Sequence, residues 1–531
     1  MTSQFRMKIV WLCVPMVVLS AQLTIGPATI WGATPEPAAS VPPRPGGIIL
    51  TPGNGQIGIT WKAANGATSY HVKRATTSGG PYTQIATTTY ESYTNVGLSN
   101  GVRYYYVISS VNSAGESGNS GQYSATPEAT NPPPSAPSNG LPEAFFSLTY
   151  TWINASHYPT VPFGGVRLWD TNTTWAQIET SRGSYYWTDL DVWLGNIKSH
   201  GQDAMYTFGR VPHWASSEPS QACPYAVSTP GCAAPPSDLN SGDNIWKEFV
   251  TAIVKHSLSS SELHIAYYEM WNEPDLTNNW AGTPAQLVQM ANDAYTIIHA
   301  LDPSAKVIGP SPTTGNQWGI HFLPSYYAAG GATPQDIVGM HAYLYDNTGH
   351  FATSPAGITT TISQLQTLMA QYGISALPIW FTEGAWTGAV VTIPSFTPAQ
   401  QAAYLAQEYM LMWSTGAVSR YYWYTWDGNL GTLWTPTGGM TQAGTAYNLL
   451  AEWLTGSVRG SCTEDSTGTY ICSLTLSSGY TAEIIWNANT SKTVTVDASF
   501  LTSKTLANST VHSISNHQIA IGPLPVLIIK G

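Results

Sequence analysis

One short stretch, residues 265–275, constrains the fold of this chain more than any other. It reads I-A-Y-Y-E-M-W-N-E-P-D, an apolar and aromatic run that ends at Asn272, Glu273 and Pro274. The run predicts a buried strand, and strand pairing must stop at the proline because that residue has no N–H to donate. A carboxylate that emerges where a buried strand stops is typical of the catalytic face of a parallel α/β barrel.

A second apolar run, Pro378–Phe381, leads in the same way to Glu383. Two strand-end glutamates on one chain supply what glycoside hydrolysis needs, since one carboxyl works as acid/base and the other as nucleophile. Glu273 and Glu383 are therefore the candidate catalytic pair. Glu179 and Asp170 are rival carboxylates, and a partner nearer about 6.5–9.5 Å away would make the enzyme an inverting one.

The composition narrows the range of partners. Of the 531 residues only 9% are charged, whereas 12% are aromatic, including 21 Trp and 30 Tyr. Aromatic planes stack on the C–H faces of sugar rings, so this balance favours a polysaccharide or oligosaccharide substrate. The net charge of −11 comes without any basic run to neutralise phosphates, which argues against a nucleic-acid partner. The length predicts about two to four domains.

The N-terminal residues predict export. Arg6 and Lys8 precede the apolar run Ile9–Leu19, and small residues that suit cleavage follow. This pattern is typical of a secretory signal peptide, which we place at residues 1–33. The mature protein is then extracellular or periplasmic and keeps no membrane span. An uncleaved anchor is the alternative, although the apolar run is short for one.

The cysteines agree with an exported protein. Cys13 lies inside the apolar run, and the other four form two pairs close in sequence, Cys223 with Cys232 and Cys462 with Cys472. In an oxidising compartment they predict two local disulfides; free buried thiols are the alternative if the signal prediction fails. The spacings of Cys and His suggest no metal site.

Residues 41–128 predict an all-β domain. Apolar residues alternate along its strands, and Gly-containing pairs mark the turns. The segment L-S-N-G-V-R-Y that runs from Leu98 to Tyr104 resembles a fibronectin type III domain, in which these two residues would form the tyrosine corner and Trp61 the core tryptophan. A Pro-rich linker at residues 129–140 follows.

Residues 141–455 predict a (β/α)8 barrel. Helical patterns alternate with eight strand candidates. These are Ala144–Tyr150, Gly165–Trp169, Asp203–Phe208, Ile265–Trp271, Lys306–Gly309, Asp336–Ala342, Pro378–Thr382 and Arg420–Thr425. A doubly wound sheet is less suitable because the chain has no G-x-G-x-x-G turn. Short strands return in residues 456–531, which predict a C-terminal β-sandwich packed on the barrel.

The barrel resembles the clan A glycoside hydrolases on its Trp-Asn-Glu-Pro motif. Within that clan the motifs G-V-R-L-W-D from Gly165, Leu190-Asp191 and P-H-W to Trp214 look most like family 39. The resemblance implies that Glu273 is the acid/base and Glu383 the nucleophile of a retaining enzyme, with the charge of Glu383 keeping Glu273 protonated.

The resemblance also implies a set of substrate-binding residues. Most have a structural alternative: a salt bridge for the arginine, a structural role for the histidines and core packing for the aromatic residues. The set is Asn272, Arg167, His213, Trp214, His341, Tyr343 and Trp426.

Together these observations predict a secreted retaining glycoside hydrolase of four segments that needs no cofactor. A transglycosylase with the same residues and a non-catalytic carbohydrate-binding surface protein are the alternatives. An esterase or peptidase is disfavoured because the sequence at Gly309-Pro-Ser311 lacks the second glycine of a nucleophile elbow.

Overall fold

The structure is a computed structural model that describes residues 40–127 and 139–531, except residues 54, 152–156, 224–229, 314–318, 345–351, 387–395 and 429. Contacts divide the chain into two compact units between residues 132 and 133. The predicted signal peptide with Cys13, and residues 129–138 of the predicted linker, lie outside the described residues. No helix in the described part has the length and apolar character needed to cross a membrane.

The first unit is a β-sandwich. Its strands are Gly46–Gly53, Gln56–Lys62, Ser69–Ala75, Thr83–Thr88, Ser92–Val96, Tyr104–Asn112, Gly115–Glu116 and Tyr123–Ala125. The first, second and fifth strands form one antiparallel sheet and the others the second. Trp61 packs edge-on against Tyr70 in the core, and the Ser99 N–H donates to Tyr104 Oη at 3.1 Å. The predicted fibronectin type III-like fold, with its tyrosine corner, is confirmed.

The second unit is built around eight parallel strands. In chain order these barrel strands 1 to 8 are Phe146–Thr149, Gly165–Leu168, Asp203–Thr207, Tyr267–Glu269, Lys306–Ile308, Val338–His341, Ile379–Glu383 and Val418–Tyr424. Each pairs with the next in sequence and strand 8 pairs with strand 1, while a bridge between Ile308 and Ile337 joins strands 5 and 6. All eight predicted strands are present, and the predicted barrel is confirmed.

Helices follow the strands around the outside of the barrel. They are Trp175–Ile178, Thr188–Ser199, Asn244–Ser259, Pro284–Leu301, Gly319–Tyr326, Ile358–Gln371, Pro398–Thr415 and Gln442–Leu454. Two of them begin with a threonine cap followed by a proline. Thr283 and Thr397 each accept a hydrogen bond from the backbone of a glutamine three residues later, and a proline occupies the first helical position.

The end of the barrel where the strands begin is closed. Arg420 donates to both carboxylate oxygens of Asp203 at 2.6 and 2.8 Å, which ties strand 8 to strand 3. Its guanidinium lies 4.3 Å from the ring centroid of Trp380, in an interior layer that includes Met205 and Tyr422. Among the described residues, side chains thus fill the end where the strands begin, so a site is expected where the strands end.

The C-terminal residues form a second β-structure on the barrel. Its strands are Val458–Glu464, Thr469–Thr475, Thr481–Asn487, Lys492–Thr495, Phe500–Thr505, Asn508–Ser513, Gln518–Ile521 and Val526–Lys530. Six make an antiparallel sheet, and Lys492–Thr495 pairs with Gln518–Ile521 in a two-stranded ribbon. Trp486 and Leu527 belong to the same apolar core as the barrel helices, so the predicted packing on the barrel is confirmed.

Both predicted disulfides are formed. Cys223 is bonded to Cys232 in the loop after barrel strand 3, and Cys462 to Cys472 across the first two strands of the C-terminal sheet.

Candidate active site

Glu273 and Glu383 face each other at the open end of the barrel. Glu383 is the last residue of strand 7. Strand 4 ends at Glu269, so Glu273 lies on the loop beyond it, with a left-handed backbone (φ 45°). Its N–H donates to the Ser311 carbonyl at 2.9 Å, which fixes this strained turn to strand 5. One oxygen of each carboxyl lies within 4.8 Å of the other.

Two donors hold Glu383. Arg167 Nη1 donates to Oε2 at 2.6 Å and Tyr343 Oη donates to Oε1 at 2.7 Å. Burial raises the pKa of Glu383, while the charge of Arg167 and the Tyr343 hydrogen bond oppose that rise. Both donors favour the carboxylate over the neutral acid, so Glu383 is the better placed of the two to carry a negative charge.

Glu273 has a different environment. Burial raises its pKa to about 8, and the negative charges of Asp275 and Asp170 add to the effect. The acid is therefore protonated at neutral pH. Burial and these two aspartates are the leading causes of the rise, and the effect of the Glu383 charge on Glu273 stays a prediction.

Arg167 is fully buried and connects the site. Besides Glu383 it donates through Nε to Glu269 at 2.8 Å and through Nη2 to Asn272 Oδ1 at 2.7 Å. Asn272 is thus connected to Glu383 by hydrogen bonds through Arg167. Arg167 Nη2 also lies 3.5 Å from His341 Nε2. The two alternatives for Arg167 are both realised, since it forms a structural salt bridge with Glu269 and binds the candidate nucleophile.

Glu269 is a member of the site that the sequence analysis missed. It is fully buried and accepts hydrogen bonds from Ser311 Oγ at 2.6 Å and Thr207 Oγ1 at 2.7 Å. The signal was present in the sequence, because a glutamate inside an apolar strand needs a buried cation. Arg167, on another apolar strand, is that cation.

The contacts of His341 define its proton. An arginine nitrogen can only donate, so Nε2 next to Arg167 is the acceptor and Nδ1 carries the hydrogen. Nδ1 lies 3.0 Å from Glu273 Oε1, and burial lowers the pKa of the imidazole. A neutral His341 therefore donates to Oε1, while Asn279 Nδ2 donates to Oε2 at 3.3 Å, so both oxygens of Glu273 have a hydrogen-bond partner.

In the described part of the chain, one group of side chains has a spacing suited to a metal ion, and it lies in this site. Glu273, His341 and Glu383 offer ligand atoms within 4.8 Å of one another. A cation there would lie against the guanidinium of Arg167, which contacts Glu383 and stands close to His341. The buried positive charge makes the arrangement better suited to proton transfer than to a cation.

Three predicted substrate-binding residues have other surroundings. His213 is exposed, with Nδ1 3.2 Å from the Pro230 carbonyl, and Trp214 donates to the Glu179 carbonyl at 2.9 Å. Within the described part of the chain, neither side chain forms a hydrogen bond or ion pair with Glu273 or Glu383. The prediction for Trp426 needs correction, because its ring is 1% exposed within the core and no sugar can reach its face.

Trp426 was predicted because it follows strand 8. The residue of this strand that lies at the mouth of the barrel is Tyr424, two positions earlier. Tyr424 is the last residue of the strand and is half-buried. It donates to Asp170 Oδ2 at 2.6 Å.

Glu179, which the sequence analysis named as a rival carboxylate, is buried. It accepts hydrogen bonds from Trp175 Nε1 and the Gly183 N–H, so it supports a loop.

Comparisons with known proteins agree with this geometry. Residues 239–447 match the family described as "Glycosyl hydrolase catalytic core". A beta-xylosidase of Geobacillus stearothermophilus is 26% identical over 193 residues, which are 33% of this chain and 37% of that protein. An amylopullulanase of Thermoanaerobacterium thermosulfurigenes is 34% identical over 90 residues, 17% of this chain and 5% of that protein. The chain thus spans well under two thirds of these relatives.

Solved structures share the fold. A family 39 glycoside hydrolase of Bacteroides cellulosilyticus superposes with a TM-score of 0.57 and 16% identity, over 91% of this chain and all of that one (100%). A GH30 endoxylanase of Clostridium papyrosolvens gives a TM-score of 0.50 with 14% identity, over 75% of this chain and 98% of that one.

Proposed function

This chain carries a glycosyl hydrolase catalytic core within residues 239–447, and we propose that it is a retaining hydrolase of O-glycosidic bonds in a polysaccharide or oligosaccharide. One observation supports this above all others: a protonated Glu273 and a hydrogen-bonded Glu383 have carboxyl oxygens within 4.8 Å. Retaining enzymes need their carboxyls about 5–5.5 Å apart, and inverting ones need about 6.5–9.5 Å to admit a water.

In the first step a Glu383 oxygen bonds to the anomeric carbon while the bond to the leaving oxygen breaks. The proton of the Glu273 carboxyl passes to that leaving oxygen, so an alcohol departs and a glycosyl ester remains on Glu383. Arg167 and Tyr343 hold the attacking carboxylate in place. The neutral His341 holds Glu273 through Oε1, and Asn279 holds it through Oε2.

In the second step Glu273 acts as base. Esterification removes the negative charge of Glu383, which makes ionisation of Glu273 less costly. Glu273 takes a proton from water as the water oxygen attacks the anomeric carbon and the ester breaks. Two inversions restore the original configuration, and both glutamates return to their starting protonation states.

We also propose that the protein is exported and that its segments have the bounds given by the sequence: signal 1–33, fibronectin-like domain 41–128, linker 129–140, barrel 141–455 and C-terminal sandwich 456–531. The two disulfides support export. Because the named relatives include a beta-xylosidase, we propose β-xylosides as the first substrates to try.

The test is a panel of aryl β-glycosides, beginning with the xyloside, and plant and microbial polysaccharides, with the product anomer followed by NMR. We expect the first-formed sugar to keep the configuration of the substrate. Inversion would contradict the proposed mechanism. Turnover of no glycan would favour a carbohydrate-binding protein, and products transferred mainly to added sugar acceptors would favour a transglycosylase.

A further inference from the structure

Four residues form what we call the rim cluster at the mouth of the barrel: Trp169, Asp170, Arg210 and Tyr424. Trp169 and Asp170 follow strand 2, Arg210 follows strand 3, and Tyr424 ends strand 8. Asp170 and Arg210 have left-handed backbones, with φ of 59° and 60°. Such conformations cost free energy in residues other than glycine and cluster at functional sites.

Asp170 is held at the centre of this cluster. Its Oδ2 accepts from Tyr424 Oη at 2.6 Å, and its Oδ1 lies 4.0 Å from Arg210 Nη2. The Arg210 guanidinium in turn lies 5.1 Å from the ring centroid of Trp169. The carboxylate is thus oriented from two sides by groups that favour its charged form.

Asp170 also remains open to a ligand. Its side chain is 37% exposed, whereas that of Arg210 is 13% exposed and Glu269 is fully buried. Each carboxylate oxygen can accept two hydrogen bonds, so Asp170 keeps acceptor capacity after the bond from Tyr424.

The cluster belongs to the same mouth as the catalytic pair. The negative charge of Asp170 helps to raise the pKa of Glu273, and the charges of Asp170 and Glu383 both help to raise that of Tyr424. The Arg167 guanidinium that holds Glu383 also lies 5.8 Å from the ring centroid of Trp169, the residue before Asp170, so the rim cluster borders the catalytic pair.

We propose that Asp170 is a specificity-determining residue that accepts hydrogen bonds from two adjacent hydroxyls of the sugar transferred to Glu383. Tyr424 and Arg210 act as positioning residues that aim its carboxylate. The ligand class is a neutral glycoside with unsubstituted vicinal hydroxyls, and an acidic sugar at this position would meet the charge of Asp170. The inference rests on the proposed function.

Monodeoxy substrates test this directly. On an aryl glycoside that the wild type cleaves, removing either of the two hydroxyls that bind Asp170 should lower kcat/KM by about 10- to 150-fold, the range for a hydrogen bond to a charged group. Asp170→Asn and Asp170→Ala should lose a similar factor on the parent substrate. Both variants should then discriminate little between the parent and those two deoxy analogues, while keeping the wild-type response to deoxygenation elsewhere.

Two controls separate this role from a structural one. Glu248→Gln removes an exposed carboxylate that pairs with Arg182, outside the rim cluster, and should behave as the wild type. Tyr424→Phe keeps the ring and removes only the hydroxyl that fixes Asp170, so it should reduce the same discrimination partly. The basic limb of the pH profile should also move to lower pH in Asp170→Asn, because a negative charge near Glu273 is gone.

The outcomes are distinguishable. If the wild type cleaves no glycoside, the proposed function fails and this inference with it. If the wild type is active and Asp170→Asn keeps the full discrimination among deoxy analogues, the subsite is refuted while the function stands. A uniform loss on every analogue, with an unchanged pH profile, would likewise refute it and assign Asp170 a structural role.

Discussion

The Nδ1 atom of His341 lies 3.0 Å from Oε1 of Glu273. Since Arg167 occupies the other side of the imidazole, this contact is a donation from His341, while Asn279 Nδ2 donates to the second oxygen of Glu273 at 3.3 Å. The candidate acid is therefore oriented by two neutral side chains, and the expectations below concern its protonation.

The pH profile should reflect the raised pKa of Glu273. The protonated acid is the active form, and its pKa is raised to about 8 by burial and then by Asp275 and Asp170. We expect kcat/KM on substrates with poor leaving groups to fall as pH rises through about 8. A dinitrophenyl glycoside needs little protonation, so its kcat/KM should stay level over the same range. An identical basic limb on both substrates would argue against Glu273 as its source.

Glu273→Ala should impair substrates unequally. Loss of the general acid should reduce kcat/KM on unactivated substrates by about 10²–10⁴-fold, the usual contribution of such a group. Formation of the glycosyl ester from an activated aryl glycoside should be nearly unaffected. Pre-steady-state bursts measure that step separately. Equal losses on both kinds of substrate would be inconsistent with the acid role.

Glu383 should be labelled covalently if it is the nucleophile. A 2-fluoro glycoside with a good leaving group should attach its sugar to the peptide that contains Thr382-Glu383-Gly384, as mass spectrometry can locate. Glu383→Gly should be inactive and regain turnover with azide, to give a glycosyl azide of inverted configuration. Label on Asp170 or Glu179 instead would refute the assignment.

Glu408 should make stability depend on pH. Its Oε2 accepts from Trp386 Nε1 at 3.1 Å and Tyr421 Oη at 2.8 Å, and burial raises its pKa from 4.5 to about 8. Between these two values the folded protein keeps a proton that the unfolded chain has released. The free energy of unfolding therefore falls as pH rises through that window, by about 3–5 kcal/mol in all.

Glu408→Gln, a neutral replacement, should remove this part of the pH dependence. Urea unfolding at pH 5.5 and pH 8.5 measures it, with the exposed Glu452→Gln on a neighbouring helix as the matched control. The same pH dependence in wild type and Glu408→Gln would mean that Glu408 is already ionised in the folded state.

The strands and the two main residues of the site were predictable because short-range patterns determine them. Each barrel strand is an apolar run with a break at its end, and parallel strands deliver their last residues to one face. Glu383 needed nothing more than this rule. Arg167 and Tyr343 were predicted from the family resemblance, and their contact with Glu383 depends on how strands from distant parts of the chain curve together.

The misses share a physical cause. Beyond the end of a strand the side-chain direction is set by the loop, so His213 points outward and Trp426 into the core although both follow strands. The left-handed backbone of Glu273, which turns its carboxyl toward Glu383, depends on a hydrogen bond to strand 5 that no local pattern encodes. Glu269 was overlooked because its partner lies on another strand.

The apolar core that Trp486 and Leu527 share with the barrel helices has a consequence for how this protein can be divided. A gene fragment that stops at the end of the barrel would expose this apolar surface to water. A barrel transferred to another protein without its sandwich would expose the same surface. The sandwich is therefore better regarded as part of the catalytic body than as an accessory. Recombination, in the laboratory or in evolution, should exchange the two together and leave the break between residues 132 and 133 as the natural joint.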